Sequence, residues 1–75
     1  MFKVTVQQAH GVVGVLGSGN TPALAQLCAL QNFQRIARTR TISAYAARRR
    51  AALQVQTYAQ MCAYYAQCQL PVTCN

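Results

Sequence analysis

The side chains of this sequence that can do chemistry are mostly cationic or nucleophilic, because the chain contains no Asp and no Glu. General acid–base catalysis draws mainly on carboxylates or on a suitably placed His. The single His, His10, lies in a Gly- and Val-rich stretch and has no acid to orient it. The run GVVGVLGSG over 11–19 lacks the Lys-Ser/Thr ending of a phosphate-binding P-loop and the acidic residue of a dinucleotide-binding unit. We therefore expect no catalytic activity and no cofactor.

The four cysteines do not have the spacing of a metal site. Cys28, Cys62, Cys68 and Cys74 form no Cys-x-x-Cys pair, so a zinc site of the usual spacing is not expected. Cys68 and Cys74 could form a disulfide across a turn at Pro71. Free buried thiols that pack as small apolar groups are the alternative. The sequence leaves both possibilities open.

The arginines are concentrated in the segment RIARTRTISAYAARRR over 35–50, while the remaining basic residue, Lys3, lies far away. The net charge is +7 and cannot be neutralised by internal carboxylate side chains. Arginine is suited to bidentate phosphate contacts, which favours a polyanionic partner. Six arginines can neutralise about six phosphates, or roughly 10 Å of duplex, without reading its sequence. The predicted nucleic-acid-binding residues are Arg35, Arg38, Arg40, Arg48, Arg49 and Arg50.

Two helices are predicted on either side of this turn. Thr21 and Pro22 form a good helix start, as N-cap and first helical residue. Apolar residues then recur every three positions from Leu24 to Ile36, which predicts a helix to about Arg38. After a possible cap near Thr41 or Ser43, the segment 44–69 contains helix formers without Gly or Pro, which predicts one continuous second helix.

The first twenty residues have weaker signals. Phe2, Val4 and Val6 alternate with polar residues, as in a strand, but the Val-Gly run that follows has no clear period. The segment is therefore open to an extended or a helical interpretation. Our prediction is a single domain over 1–75 of the all-α class. It comprises an N-terminal packing segment (1–20), an antiparallel helical hairpin (about 21–39 and 43–69) and a tail (70–75), and is stable only in a helical assembly.

The apolar content predicts self-association. Hydrophobic residues make up 53% of the chain and charged residues only 9%, whereas an ordinary soluble domain has about 25% charged residues. A two-helix hairpin has too little interior for that much apolar surface, so we expect it to contact other copies of the chain. No uninterrupted apolar window reaches the roughly eighteen residues of a membrane span, so a membrane partner is not expected. The predicted subunit-packing residues are Leu24, Leu27, Leu30, Phe33, Ile36, Leu53, Tyr58, Met61 and Tyr65.

In its length, predicted helical hairpin, apolar body and basic centre, the chain resembles the small major coat proteins of rod-shaped viruses, in particular those of the clavaviruses of hyperthermophilic archaea. The resemblance covers the whole chain but includes no diagnostic motif. It implies a major capsid protein whose hairpins stack into a helical shell around double-stranded DNA, with the arginine turn facing inward. It also implies that the protein is found in the virion, and in the host cytoplasm during assembly.

Two other functions fit the same residues. A small cellular DNA-compacting protein would use the same arginines, and a cationic membrane-active peptide would use an Arg- and Tyr-containing helix pair. Against the membrane-active peptide, the charge is concentrated at one end of the predicted hairpin, and the second helix is rich in Gln.

Overall fold

The structure, a computed structural model, describes residues 1–7, 11, 13–39 and 46–75. Within these residues, three strands and three helices follow one another in the order ββαααβ. They are β1 (Phe2–Gln7), β2 (Val13–Gly19), α1 (Pro22–Arg38), α2 (Ala46–Leu53), α3 (Tyr58–Gln67) and β3 (Val72–Cys74). The prediction of an all-α hairpin is therefore wrong, because the chain has a mixed architecture with one three-stranded sheet and helices packed on it.

The sheet has β1 at its centre, with β2 and β3 on its two sides, and both pairings are antiparallel. Val4 and Val6 of β1 are buried beneath the helices. The opposite face is open: Val13 and Val15 are 58% and 61% exposed, and the Thr5 and Thr73 hydroxyls lie 2.9 Å apart. The Val4 and Val6 alternation in the sequence was therefore a real strand signal. The segment 70–75, predicted as a tail, contributes the third strand.

Glycines in β2 allow α1 to lie unusually close to the sheet. A Cβ built on Gly17 would be only 2.4 Å from the backbone nitrogen of Ala29, and one on Gly19 only 2.8 Å from the nitrogen of Ala25. The inward positions of β2 opposite Phe2, Val4 and Val6 are all glycines. A glycine contributes no hydrophobic side chain, so the alternation typical of a strand is missing from the sequence.

A β-bulge in β2 is stabilised from α1. The register between β1 and β2 shifts after the pair Val4–Gly17, so that Leu16 has no partner on β1. The side-chain amide of Asn32 donates a 2.8 Å hydrogen bond to the Leu16 carbonyl. This bond satisfies a half-buried acceptor at a point where the strand pairing is irregular.

Helix α1 agrees with its predicted start and end. The Thr21 side chain accepts a 3.1 Å hydrogen bond from the Leu24 N–H, and the helix ends at Arg38. The buried face differs from the one expected, however. Its fully buried residues are Ala25, Ala29, Phe33 and Ala37. Ala25 and Ala29 form the part of this face that lies against Gly19 and Gly17, where a larger side chain would not fit, while Leu24 and Leu27 remain 52% and 51% exposed.

The predicted second helix is divided into α2 and α3. Thr57 begins α3 with a capping box: its side chain accepts from the Gln60 N–H, and the Gln60 side chain accepts from the Thr57 N–H, each at 3.1 Å. This arrangement satisfies N–H groups that a helix start leaves unpaired. The break lets α3 fold back on α2, which a continuous rod could not do.

The turn from α3 into β3 is a Schellman motif. Gln69 adopts a positive φ of 61°, and the Leu70 N–H bonds to the Tyr65 carbonyl at 2.9 Å. The Gln69 N–H bonds to the Ala66 carbonyl at 3.0 Å, which completes the motif. The chain is thereby directed toward β3.

The core lies between the sheet and the helices. Phe33 is its centre: its ring lies edge-to-face against Tyr64 and Tyr65, with centroid distances of 5.3 and 5.5 Å. Tyr64 and Tyr65 make the same kind of contact with each other at 5.5 Å. The buried cluster consists of Val4, Ala25, Ala29, Phe33, Ala37, Ala52, Val55, Met61 and Tyr64.

Candidate nucleic-acid interface

The arginines lie on two helices that pack against each other. Arg35 and Arg38 are exposed in the last turn of α1, whereas Arg48 and Arg50 are exposed and Arg49 half-buried on α2. The sixth predicted residue, Arg40, lies outside the described residues. The two sets of arginines therefore lie on neighbouring helices.

The packing between α1 and α2 fixes that region. The Gln34 side chain donates a 3.1 Å hydrogen bond to the carbonyl of Val55, just after α2. Ala37 and Ala52 are both buried in the same cluster. Arg38 lines a hollow of about 200 Å³ whose opposite wall includes Leu53 of α2. The C-terminal end of α1, which carries Arg35 and Arg38, therefore lies beside the C-terminal end of α2.

The two sets of arginines differ in their electrostatics. Arg35 and Arg38 lie at the C-terminal end of α1, where the helix dipole favours cations. Arg48 is the third residue of the eight-residue helix α2, in its first turn, where the dipole opposes a cation by roughly 0.3–1 kcal/mol. Arg49 lies at mid-helix, and Arg50 lies in the last turn, where the dipole favours a cation. With no carboxylate side chain anywhere in the sequence, a bound anion would offset this repulsion.

Arg48 also influences a buried tyrosine. Tyr64 is only 7% exposed, and burial together with the Cys68 thiol raises its pKa, while the positive charge of Arg48 opposes that rise. The guanidinium thus lies near enough to the phenol for its field to act. At neutral pH the Tyr64 hydroxyl is uncharged beside a cation.

A groove runs between α2 and α3 beside Arg48. It consists of two adjoining hollows of about 230 and 240 Å³ that share Ala51, Tyr64 and Gln67. One hollow extends to Arg48 and Cys68. The other is lined in addition by Gln54, Val55, Gln60 and Ala63. The prediction of one continuous helix over 44–69 could not include this groove. The signal that would have indicated it is the Thr57-x-x-Gln60 capping box.

The predicted subunit-packing residues fall into three groups. Phe33 and Met61 lie in the core of the chain itself, only 1% and 0% exposed. Leu24, Leu27 and Leu53 are about half exposed, at 52%, 51% and 53%. The half-buried residues that complete the set are Leu30, Ile36, Tyr58 and Tyr65.

The four cysteines are free thiols, and each is half-buried. The pKa of Tyr58 is raised to about 12. Burial is the largest cause, followed by a hydrogen bond with Cys62 and by electrostatic interactions with the Cys62 and Cys74 sulfur groups. In the described part of the chain, no three His, Cys, Asp or Glu side chains are placed to hold a metal ion. His10 is outside that part.

Within the described ranges, no helix has both the length and the apolar character needed to cross a lipid bilayer.

Comparison of this chain with known protein families, with curated proteins and with solved structures finds no match.

Proposed function

We propose that this protein binds DNA through its phosphates, without reading the base sequence, and that the interface is formed by Arg35, Arg38, Arg48, Arg49 and Arg50. The observation that carries the proposal is the placement of these five arginines on two packed helices, α1 and α2, in a chain without acidic residues. Arginine forms charge-assisted, bidentate hydrogen bonds with phosphate oxygens.

The salt dependence of binding tests this proposal. Each phosphate contact on duplex DNA contributes about −0.9 to the slope of log K against log salt concentration. The triple variant R48Q/R49Q/R50Q should therefore flatten the slope by about 2.7 if each arginine contacts one phosphate, and R35Q/R38Q by about 1.8. The reduction should be equal for duplexes of unrelated sequence.

Lys3→Gln is the matched control. Lys3 is exposed on β1 and pairs with Ser18, on the sheet face opposite to the one covered by the helices. The substitution removes one positive charge at a distance from the proposed interface. An unchanged slope in both arginine variants, or an equal effect per charge for Lys3→Gln, would contradict the assignment.

A second candidate function is that of a virion coat protein that packages double-stranded DNA. It is supported by the apolar surface left open on a single chain, namely Leu24 and Leu27 on α1, Leu53 on α2, and Val13 and Val15 on the open sheet face. Such surface favours contact with further copies of the chain. The helical-hairpin part of the resemblance to clavavirus coat proteins does not apply to this mixed fold, so the proposal depends on chain length, apolar surface and charge.

Electron microscopy of the protein with and without duplex DNA of defined length separates the candidates. Rods whose length follows that of the DNA, with nuclease-resistant contents, would support the coat. Complexes that dissociate in high salt would instead support a DNA-compacting protein. Leakage of anionic vesicles in the absence of DNA would support a membrane-active peptide. Leu27→Asp should prevent rod formation, because it places an unpaired charge in the predicted contact. Normal rods from that variant would exclude this part of α1 from the subunit contact.

A further inference from the structure

The groove between α2 and α3 has a composition unlike that of the arginine surface beside it. Its lining includes the small or flat residues Ala51, Ala63 and Tyr64. It also includes three glutamines, Gln54, Gln60 and Gln67. The groove therefore combines small and aromatic residues with glutamines, and Arg48 lines one of its two hollows.

The amide of Gln60 is held in place before any ligand arrives. Its side-chain oxygen accepts hydrogen bonds from the backbone N–H groups of Gln56 at 2.7 Å and Thr57 at 3.1 Å. The N–H₂ group of the same side chain makes no hydrogen bond within the described structure. Gln60, which lines the groove, thus has its side-chain oxygen fixed by the capping box and its N–H₂ group unused within the described structure.

The carboxamides of Gln54 and Gln67 likewise have no hydrogen-bond partner among the described residues. Each carries one acceptor oxygen and two N–H donors. A ligand that matches this wall must offer both donors and acceptors in one plane. Nucleobase edges have this property, and glutamine pairs with them readily. The groove opens beside Arg48, which supplies a contact for a phosphate on the same nucleotide.

We propose that the groove between α2 and α3 binds an unpaired base of single-stranded DNA, with the adjacent phosphate on Arg48. The inference rests on the proposed DNA-binding function and makes it more specific. Duplex bases expose only their groove edges, which are read by protein elements that protrude into the groove of the DNA. A concave site between two helices can instead take up a whole base only where that base is unstacked, as in a melted or single-stranded segment. With such a site, the protein binds single-stranded DNA more tightly than duplex DNA of equal charge.

Alanines on both helices keep the groove open, and they allow a test that changes no charge. Ala63 is exposed, so Ala63→Leu fills the groove without disturbing the core. Ala66→Leu is the control, because Ala66 is exposed on the same helix and does not line the groove. Both variants add the same side chain to α3.

Fluorescence anisotropy would measure the affinity for three labelled strands of equal length: a single strand, the same strand without bases, and a duplex. The expected result is that the intact single strand binds roughly fivefold or more tightly than the abasic strand. Ala63→Leu should remove that difference, whereas Ala66→Leu should keep it. Equal affinities for intact and abasic strands, or no effect of Ala63→Leu, would overturn the base site.

The abasic strand also separates this inference from the function on which it rests. If the abasic strand and the duplex both bind with a steep salt dependence but bases add nothing, phosphate binding stands and the base site fails. If none of the three strands binds, the proposed function itself fails. Free deoxyadenosine monophosphate should compete weakly, because it lacks the phosphates for the other arginines. Competition as strong as that of an unlabelled single strand would overturn the assignment to a strand.

Discussion

Replacing Gly17 by Ala tests the close contact between α1 and the sheet. The new Cβ would lie 2.4 Å from the Ala29 nitrogen, 2.7 Å from the Ala29 Cα and 2.9 Å from the Cys28 carbonyl carbon. Ordinary contact begins at 3.4 Å, so the helix must move away by about 1 Å. All three atoms belong to the backbone, and no change of rotamer can relieve the overlap.

The expected loss of stability is near the upper end for overpacking, about 3 kcal/mol. A chain of this length has a total unfolding free energy of roughly 4–11 kcal/mol, so the variant should remain folded but be much weakened. Since 1 kcal/mol lowers Tm by about 4–8 °C at this size, the expected decrease is roughly 12–24 °C. Thermal and urea unfolding followed by circular dichroism would measure it.

Two further variants define what the result means. Gly11→Ala is the control for lost backbone freedom, because Gly11 has a φ of 76° but no atom of the described residues lies within 4 Å of the position that a Cβ would take. It should lose about 1–2 kcal/mol from conformation alone. Ala29→Gly should fail to rescue Gly17→Ala, since the overlap involves the backbone of residue 29. A rescue, or a Tm decrease below about 4 °C for Gly17→Ala, would refute the packing described.

Four other substitutions or conditions have definite expected outcomes. Thr57→Ala removes the capping box of α3 and should lower the unfolding free energy by about 1 kcal/mol in urea titrations. Asn32→Leu leaves the carbonyl at the β-bulge without its donor and should cost about 1–2 kcal/mol in the same assay; an unchanged midpoint would mean that water replaces the amide. Gln69→Gly should instead raise Tm, because the residue has a φ of 61° and glycine removes a strain of about 1 kcal/mol. At alkaline pH, Tyr58 and Tyr65 should ionise near 12, above the ordinary 10.0, because burial disfavours the phenolate. Between pH 10 and 12 the folded state retains protons that the unfolded chain releases, so stability should fall as pH rises, and absorbance titration with parallel Tm measurements would show this.

Sequence reasoning succeeded where a local motif determines the structure. Thr21 and Pro22 fix the start of α1 by capping and by a preset φ, and both effects can be read without knowing what the helix packs on. Arg48, Arg49 and Arg50 are helical as predicted, but they occupy a helix of eight residues, and Arg50 lies in its last turn and not near the start of a long helix. The DNA contacts of these residues stay a prediction.

Sequence reasoning failed where the structure depends on contacts between residues that are distant in the chain. The inward positions of β2 are glycines, so the strand has no hydrophobic period, and its partner α1 is buried through alanines and not through its leucines. The break before Thr57 was overlooked because the segment 44–69 contains no Gly or Pro, whereas Val55 and Thr57 are β-branched and favour a helix less. The Thr57-x-x-Gln60 pair was the local signal for it, and giving that pair more weight than propensity would have predicted two helices.

The position of β1 at the centre of the sheet has a consequence for synthesis on the ribosome. Val4 pairs with Cys74, seventy positions later in the chain. At roughly 5–20 residues per second, about 4–14 s pass between the appearance of the two partners. During this interval β1 and β2 can pair, but the other edge of β1 exposes unpaired N–H and C=O groups to neighbouring nascent chains. The three-residue strand β3 therefore determines when this side of the central strand is covered.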